Sequence, residues 1–198
     1  MSLVPEPEKS RAMLDEAGQL NRGPWYTHSL HVANAARAIA VRCPGLIPDR
    51  AYSLGLLHDI GRRYGVTALK HVIDGYRFLS GLGYEDAARI CLTHSFPLRE
   101  IGAFAGQNDC DNDEAAFIDR YIRTVESDDY DHLIQLCDAL ALPAGLCLLE
   151  QRFVDVVMRH GFNQFTINKW KAFYGIRDHF ENIIGCSIYD CVQADHQP

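Results

Sequence analysis

No C-x-x-C pair occurs among the seven cysteines of this 198-residue chain, at Cys43, Cys91, Cys110, Cys137, Cys147, Cys186 and Cys191. The odd number and the spacing argue against a disulfide framework and against a zinc finger, and most of these residues stand in apolar context, as reduced core thiols do. Runs of Lys or Arg are also lacking. With a formal net charge of −7, the chain carries no electrostatic footprint for DNA or RNA. No apolar stretch approaches the length needed to span a bilayer, and the opening "MSLVPEPEKS" lacks a basic segment followed by an apolar one. These absences lead us to expect a protein of the cytoplasm or another reducing compartment, with no nucleic-acid and no membrane partner. Period-two alternation of β-branched residues is equally scarce, which leaves little room for strands.

What is present is an apolar spacing of three and four residues in segment after segment, with 47% hydrophobic and 23% charged residues overall. We therefore expect an all-α protein, one domain over residues 1–198, without repeats or low-complexity tracts. After a loose, Pro-containing lead, helices are predicted over Pro24 to Val41, Pro48 to Gly61, Thr67 to Ser80 and Tyr84 to His94. The polar stretch from Gly102 to Asp113 reads as a loop. Further helices are predicted over Glu114 to Val125, Asp129 to Leu142, Leu146 to His160 and Thr166 to Ile184.

Two motifs fail on inspection. "DCDND" from Asp109 begins like a calcium loop, but Glu114 stands where glycine is required and Arg120 where a bidentate acid is required. "GLGYED" from Gly81 lacks the third glycine of a dinucleotide fingerprint and follows a helix.

The informative residues are polar ones at the ends of apolar helices. "GLLHDIG" delivers His58 and Asp59 together from the last turn of a helix that should be buried. A buried carboxylate is costly without a cation, so Asp59 needs either an ion pair with Arg62 or Arg63, or a metal. His28 heads the stripe Val32, Ala35, Ala36 and Ile39, and points inward, as a hydrogen-bonded core histidine or a ligand would. His31, nearer the flank, is expected to have no such role. Asp138 sits among Ile134, Ala141 and Leu142, away from any capping position, whereas Asp128, Asp129 and Asp131 suit the start of their helix. His71 precedes Gly75 by one turn, a small residue expected to leave space beside the imidazole, and His94 ends its own helix. Inward imidazoles plus two buried carboxylates on separate helices suggest a metal site inside a bundle.

The ordered set His28, His58–Asp59 and Asp138, in the contexts "HSLHVA", "LGLLHDIG" and "LCDALA", resembles the HD-domain superfamily of metal-dependent phosphohydrolases over roughly residues 24 to 142. The resemblance implies an HD-domain helical bundle followed by a C-terminal helical extension from about residue 146 to 198. It also implies a dinuclear site in which His71 and His94 join the other four donors and Asp59 bridges. Ser95 stands where some dinuclear members have a second histidine, and the Gly-Tyr-Pro signature of the cyclic-dinucleotide phosphodiesterases is lacking. The arrangement is closer to that of small bacterial hydrolases that split diadenosine tetraphosphate symmetrically. Arg62 replaces a lysine common in the family and retains the charge with a bidentate fork.

The implied reaction is hydrolysis of a phosphate ester or anhydride of a nucleotide or related small phosphorylated metabolite, by metal-bound hydroxide. Imidazole ligation favours a divalent transition metal over calcium; the resemblance implies two ions, iron or manganese first, with nickel, cobalt, zinc or magnesium as alternatives. Asp59 and Arg62 are the expected catalytic residues; Arg63, Lys70 and Arg99 are further candidate cations, and Trp25, Tyr26 and Tyr64 candidate stacking partners. A di-iron oxygenase and a non-catalytic metal- or nucleotide-binding module remain as alternatives. The C-terminal helices, including "FVDVVMRHG" and "INKWKAFYGIRDHF", lie outside the resemblance. They are expected to close the pocket, set specificity or build a homodimer contact, and His160 is expected to suit a helix C-terminus.

Overall fold

Prolines, glycines and capping acids divide the chain into helices, and a computed structural model describes residues 3–194. Ten α-helices are present among the described residues: Pro7–Leu20 (α1), Trp25–Ala40 (α2), Pro48–Leu57 (α3), Lys70–Gly81 (α4), Glu85–Thr93 (α5), Asn112–Thr124 (α6), Asp129–Leu140 (α7), Leu149–His160 (α8), Thr166–Ile184 (α9) and Ile188–Ala194 (α10). The protein is all-α apart from a two-residue antiparallel ladder, Ala141–Leu142 with Gly145–Leu146.

Several boundaries differ from expectation. The lead is helical, because Pro7 falls in the first turn, where its missing N–H costs nothing, and Met13, Leu14 and Ala17 form a buried face. The helix before the doublet ends at Leu57 instead of running to Gly61. His58 caps it, Asp59 turns away at φ −105° and ψ 14°, and a 3-10 segment follows over Ile60–Tyr64. Likewise α7 stops at Leu140, where the hairpin takes over, α8 starts at Leu149, and a 3-10 turn at Ile101–Ala103 takes up the first residues of the expected loop.

The acids that failed as a calcium loop have local work. Asp109 accepts hydrogen bonds from Ala68 N and Lys70 N, both at 2.7 Å, and so caps the start of α4. Asp111 caps α6 by accepting from Glu114 N at 2.8 Å while Glu114 accepts from Asp111 N at 3.1 Å, a reciprocal box worth about 1 kcal/mol.

Two apolar clusters fix the helices. The larger joins α1, α2, α3, α5, α7 and the C-terminal helices through residues such as Leu14, Ile39, Leu54, Leu136 and Phe180; the smaller joins α4, α5 and α6 through Val72, Leu92 and Ile118. Each such side chain contributes about 1.5–3 kcal/mol by leaving water. Helices α2 and α3 approach closely at Gly55, where a Cβ would lie 2.5 Å from Ala33 Cα. That contact sets His28 and His58 on facing helices.

Candidate metal centre

Each candidate donor comes from its own backbone position. His28 leaves the first turn of α2, His58 and Asp59 the end of α3, His71 the start of α4, His94 the end of α5, and Asp138 the last turn of α7. His28, His58, Asp59, His71 and His94 are buried, and the Asp138 side chain keeps 21% exposure.

Local geometry presents these donors to one another. Gly61 lets the 3-10 segment press on α4, where a Cβ would stand 2.0 Å from His71 O and 2.5 Å from Gly75 N. Gly75 thus makes room for backbone and for Cys91, and not for the His71 ring as expected. Asp59 Oδ1 lies 3.1 Å from His71 Nε2 and 3.6 Å from His94 Nε2, and those two nitrogens are 3.4 Å apart. On the other side, His28 Nε2 is 2.9 Å and His58 Nε2 4.0 Å from Asp138 Oδ1.

The imidazoles are oriented from behind. His58 Nδ1 donates to Gly55 O at 2.8 Å, His71 Nδ1 to Ala68 O, and His94 Nδ1 to Cys91 O at 3.0 Å and Ile90 O at 3.2 Å. A carbonyl oxygen can only accept, so in each neutral ring the proton sits on Nδ1 and the Nε2 lone pair faces inward. Burial lowers the His58 pKa and pushes that of His94 down to about 3, which keeps both rings neutral. His58 Nε2 is buried with no hydrogen-bond partner. Such an orphan is costly without a ligand, and a divalent ion is the chemistry that an imidazole–carboxylate donor set fits. Two trios lie within binding reach, His28–His58–Asp138 and His58–Asp59–His94. They share His58, whose single inward nitrogen serves one ion, so the donors form one continuous set.

Electrostatics favours ionised carboxylates. Burial alone would raise Asp59, but the Arg62 charge foremost holds it well below the usual range. Asp138 behaves alike: burial opposes ionisation, and the hydrogen bond with His28 outweighs it, aided by the Arg152 charge. Arg62 Nε donates to Asp59 Oδ2 at 2.6 Å and Nη1 to Thr67 O at 3.2 Å, so it makes the ion pair and also lines the cavity.

That cavity, about 1100 Å³, opens onto His28, Asp59, His71, His94 and Asp138. Arg63, Lys70, Arg99, Tyr26, Tyr64 and His31 do not line it. Arg63 pairs with Glu16 at 3.0 Å, Lys70 with Glu114 at 2.8 Å, and Arg99 and Tyr64 are exposed. Tyr26 donates to Asp15 at 2.6 Å. Trp25 does line the cavity.

The opposite wall belongs to α8 and α9, which the sequence reading left without assigned residues. Arg152, Phe153, Arg159, His160, Lys169 and Trp170 line it. The signal lay in the helical stripe Thr166, Lys169, Trp170 and Phe173, where a lysine shares a face with aromatics.

A model of the HD domain matches residues 25–142, more than half of the chain. The chain belongs to the HD-domain family. No curated protein and no solved structure was found to match it. Membership places this HD-domain protein among mostly metal-dependent hydrolases, and its His/Asp cluster fits divalent-metal binding. Among the described residues no helix is long and apolar enough to cross a membrane.

Proposed function

We propose that this HD-domain protein is a metal-dependent phosphohydrolase with two divalent ions, of the iron or manganese type, acting on a phosphate ester or anhydride of a nucleotide or related small phosphorylated metabolite. The observation that carries the reading is the convergence of six donors, three of them imidazoles with inward Nε2 lone pairs, of which five open onto one large cavity whose other walls hold cations. Ions held by His28, His58, Asp59, His71, His94 and Asp138 would supply Lewis acidity toward a phosphoryl oxygen and a lowered pKa for water.

The chain's own residues complete the site. Arg62 fixes Oδ2 of Asp59 and leaves Oδ1 toward His71 and His94, so the carboxylate is oriented before any substrate arrives. The same guanidinium places positive charge on the cavity wall, which an overall charge of −7 makes necessary for an anionic substrate. A cavity of this size matches a nucleotide-scale ligand.

Metal analysis of protein purified without chelator, joined to a phosphate-release screen over mononucleotides, dinucleoside polyphosphates and sugar phosphates, tests the proposal. Bound transition metal and metal-dependent phosphate release are expected. Oxygen uptake dependent on reduced iron, with no phosphate released from any compound, would replace hydrolysis by oxidative chemistry.

A further inference from the structure

Lys169 is the one lysine lining the cavity among the described residues, and it lies outside the family-matched segment. Its Nζ donates to Ser95 O and to Ala103 O, both at 3.1 Å. Ser95 directly follows His94. Ala103 directly precedes Phe104, whose ring packs 6.4 Å from that of His71, so the ammonium joins the segments beside two candidate donors. An ammonium has three N–H bonds, and two carbonyls leave one for the cavity that Lys169 lines.

The charge balance there is unusual. On α8, Arg159 and Arg152 already lie 2.6 Å and 3.6 Å from Asp155, and Arg62 is engaged by Asp59. No carboxylate lies within ion-pair distance of Lys169 among the described residues; its partners are neutral carbonyl dipoles. The residue as a whole is partly exposed, but its ammonium is embedded: desolvation pushes its pKa down to about 8, against the pull of Asp138 and with the help of Arg152. It is still mostly protonated at neutral pH, so a desolvated cation with a spare donor faces the space beside the donor cluster.

We infer that Lys169 is a substrate-binding residue, whose ammonium takes a non-bridging oxygen of a phosphoryl group placed against the donor cluster. The inference rests on the phosphohydrolase reading for its choice of anion. It makes the α9 helix a functional part of the site, adding phosphate affinity to that of Arg62 and the donor cluster in the family-matched segment.

The test is calorimetric titration of inorganic phosphate into the full-length, metal-loaded protein and its variants K169M and K169R, with metal content and thermal midpoint measured for each. Loss of a charge-assisted hydrogen bond in a desolvated site should weaken phosphate binding in K169M at least about tenfold, at unchanged metal content, with partial recovery in K169R. An affinity within about twofold of wild type, or a loss seen only where metal has also gone, overturns the inference and leaves Lys169 as a latch between α9 and the loops. Should K169M fail to fold, amine acylation of the wild-type protein mapped by mass spectrometry decides: phosphate protects Lys169 if the inference holds, and equal labelling with and without phosphate overturns it. A screen without phosphate release from any ester would remove the hydrolase reading yet leave this measurement standing. Hydrolysis by a K169M protein of undiminished phosphate affinity would remove only the inference.

Discussion

The two walls of the cavity are built differently. On the donor wall, His58, His71 and His94 are each tied to a backbone carbonyl within their own helical turn, and Arg62 holds Asp59. On the facing wall, Arg152, Arg159 and Lys169 reach inward on long side chains beside Phe153 and Trp170, which stack with centroids 5.2 Å apart. The donor wall needs sub-ångström order, and short side chains on packed helices provide it at little entropic cost. On the proposed function, the facing wall would meet a ligand with a diffuse anionic surface, for which long cationic side chains suffice. Metal binding and ligand affinity should therefore separate on mutation.

The largest effect should come from Asp59→Ala, which removes the carboxylate that His71, His94 and His58 face. Metal affinity should fall by more than about a hundredfold, a loss larger than that caused by removing a supporting residue, and turnover should drop to background. Metal content by mass spectrometry and phosphate release check it; retention of full metal would break the contrast between the walls.

Gly61→Ala should come next. Its methyl group would meet the backbone at His71 O and Gly75 N, neither of which can swing aside, so a cost of about 3 kcal/mol in urea unfolding is expected. A variant as stable as wild type would show that the donor wall tolerates displacement.

Glu114→Gln probes the support behind His71, since Glu114 binds Lys70 and Arg77 of α4. The Lys70 hydrogen bond foremost, aided by those of Arg77 and Asp111 N and opposed by burial, holds its carboxyl down at about 2 in place of 4.5. A depressed carboxylate stabilises the fold above the unfolded value, and the gain disappears as pH falls from 4.5 toward about 2. The variant should be about 2 kcal/mol less stable near neutral pH, and the gap should narrow below about pH 4. A gap that is independent of pH would count against the charge as its source.

The smallest effect on the donors should follow Trp170→Ala. It should raise KM a few-fold by removing cavity wall and the stacked contact with Phe153, while metal content stays at the wild-type level. Metal loss in this variant would merge the two walls into one unit.

The donor wall was proposed from the sequence because several inward histidines and two aspartates, each explicable alone as a core or ion-paired residue, formed together an ordered set resembling the HD pattern. The bounds of α9, Thr166–Ile184, were readable too, between a polar loop and Gly185. The first helix was not, since its two nearby prolines outweighed a short apolar face. The turn after Leu57 was hidden as well, because the helical periodicity continues through it. The stripe that Lys169 shares with Trp170 and Phe173 was visible, but its place in the site was not: its partners Ser95 and Ala103 lie 74 and 66 residues away, and only the folded chain brings them together.

The first helix also reaches the doublet. The Asn21 side chain, at its end, donates to Arg62 O at 2.6 Å, and the Trp25 indole donates to Asn21 O at 3.0 Å. A clamp from upstream of the family boundary thus grips the loop that carries Asp59. The segment delimited by a shared pattern and the segment that keeps its shape have different lengths, and trimming this protein at residue 25 would cut the mooring while sparing every recognisable motif.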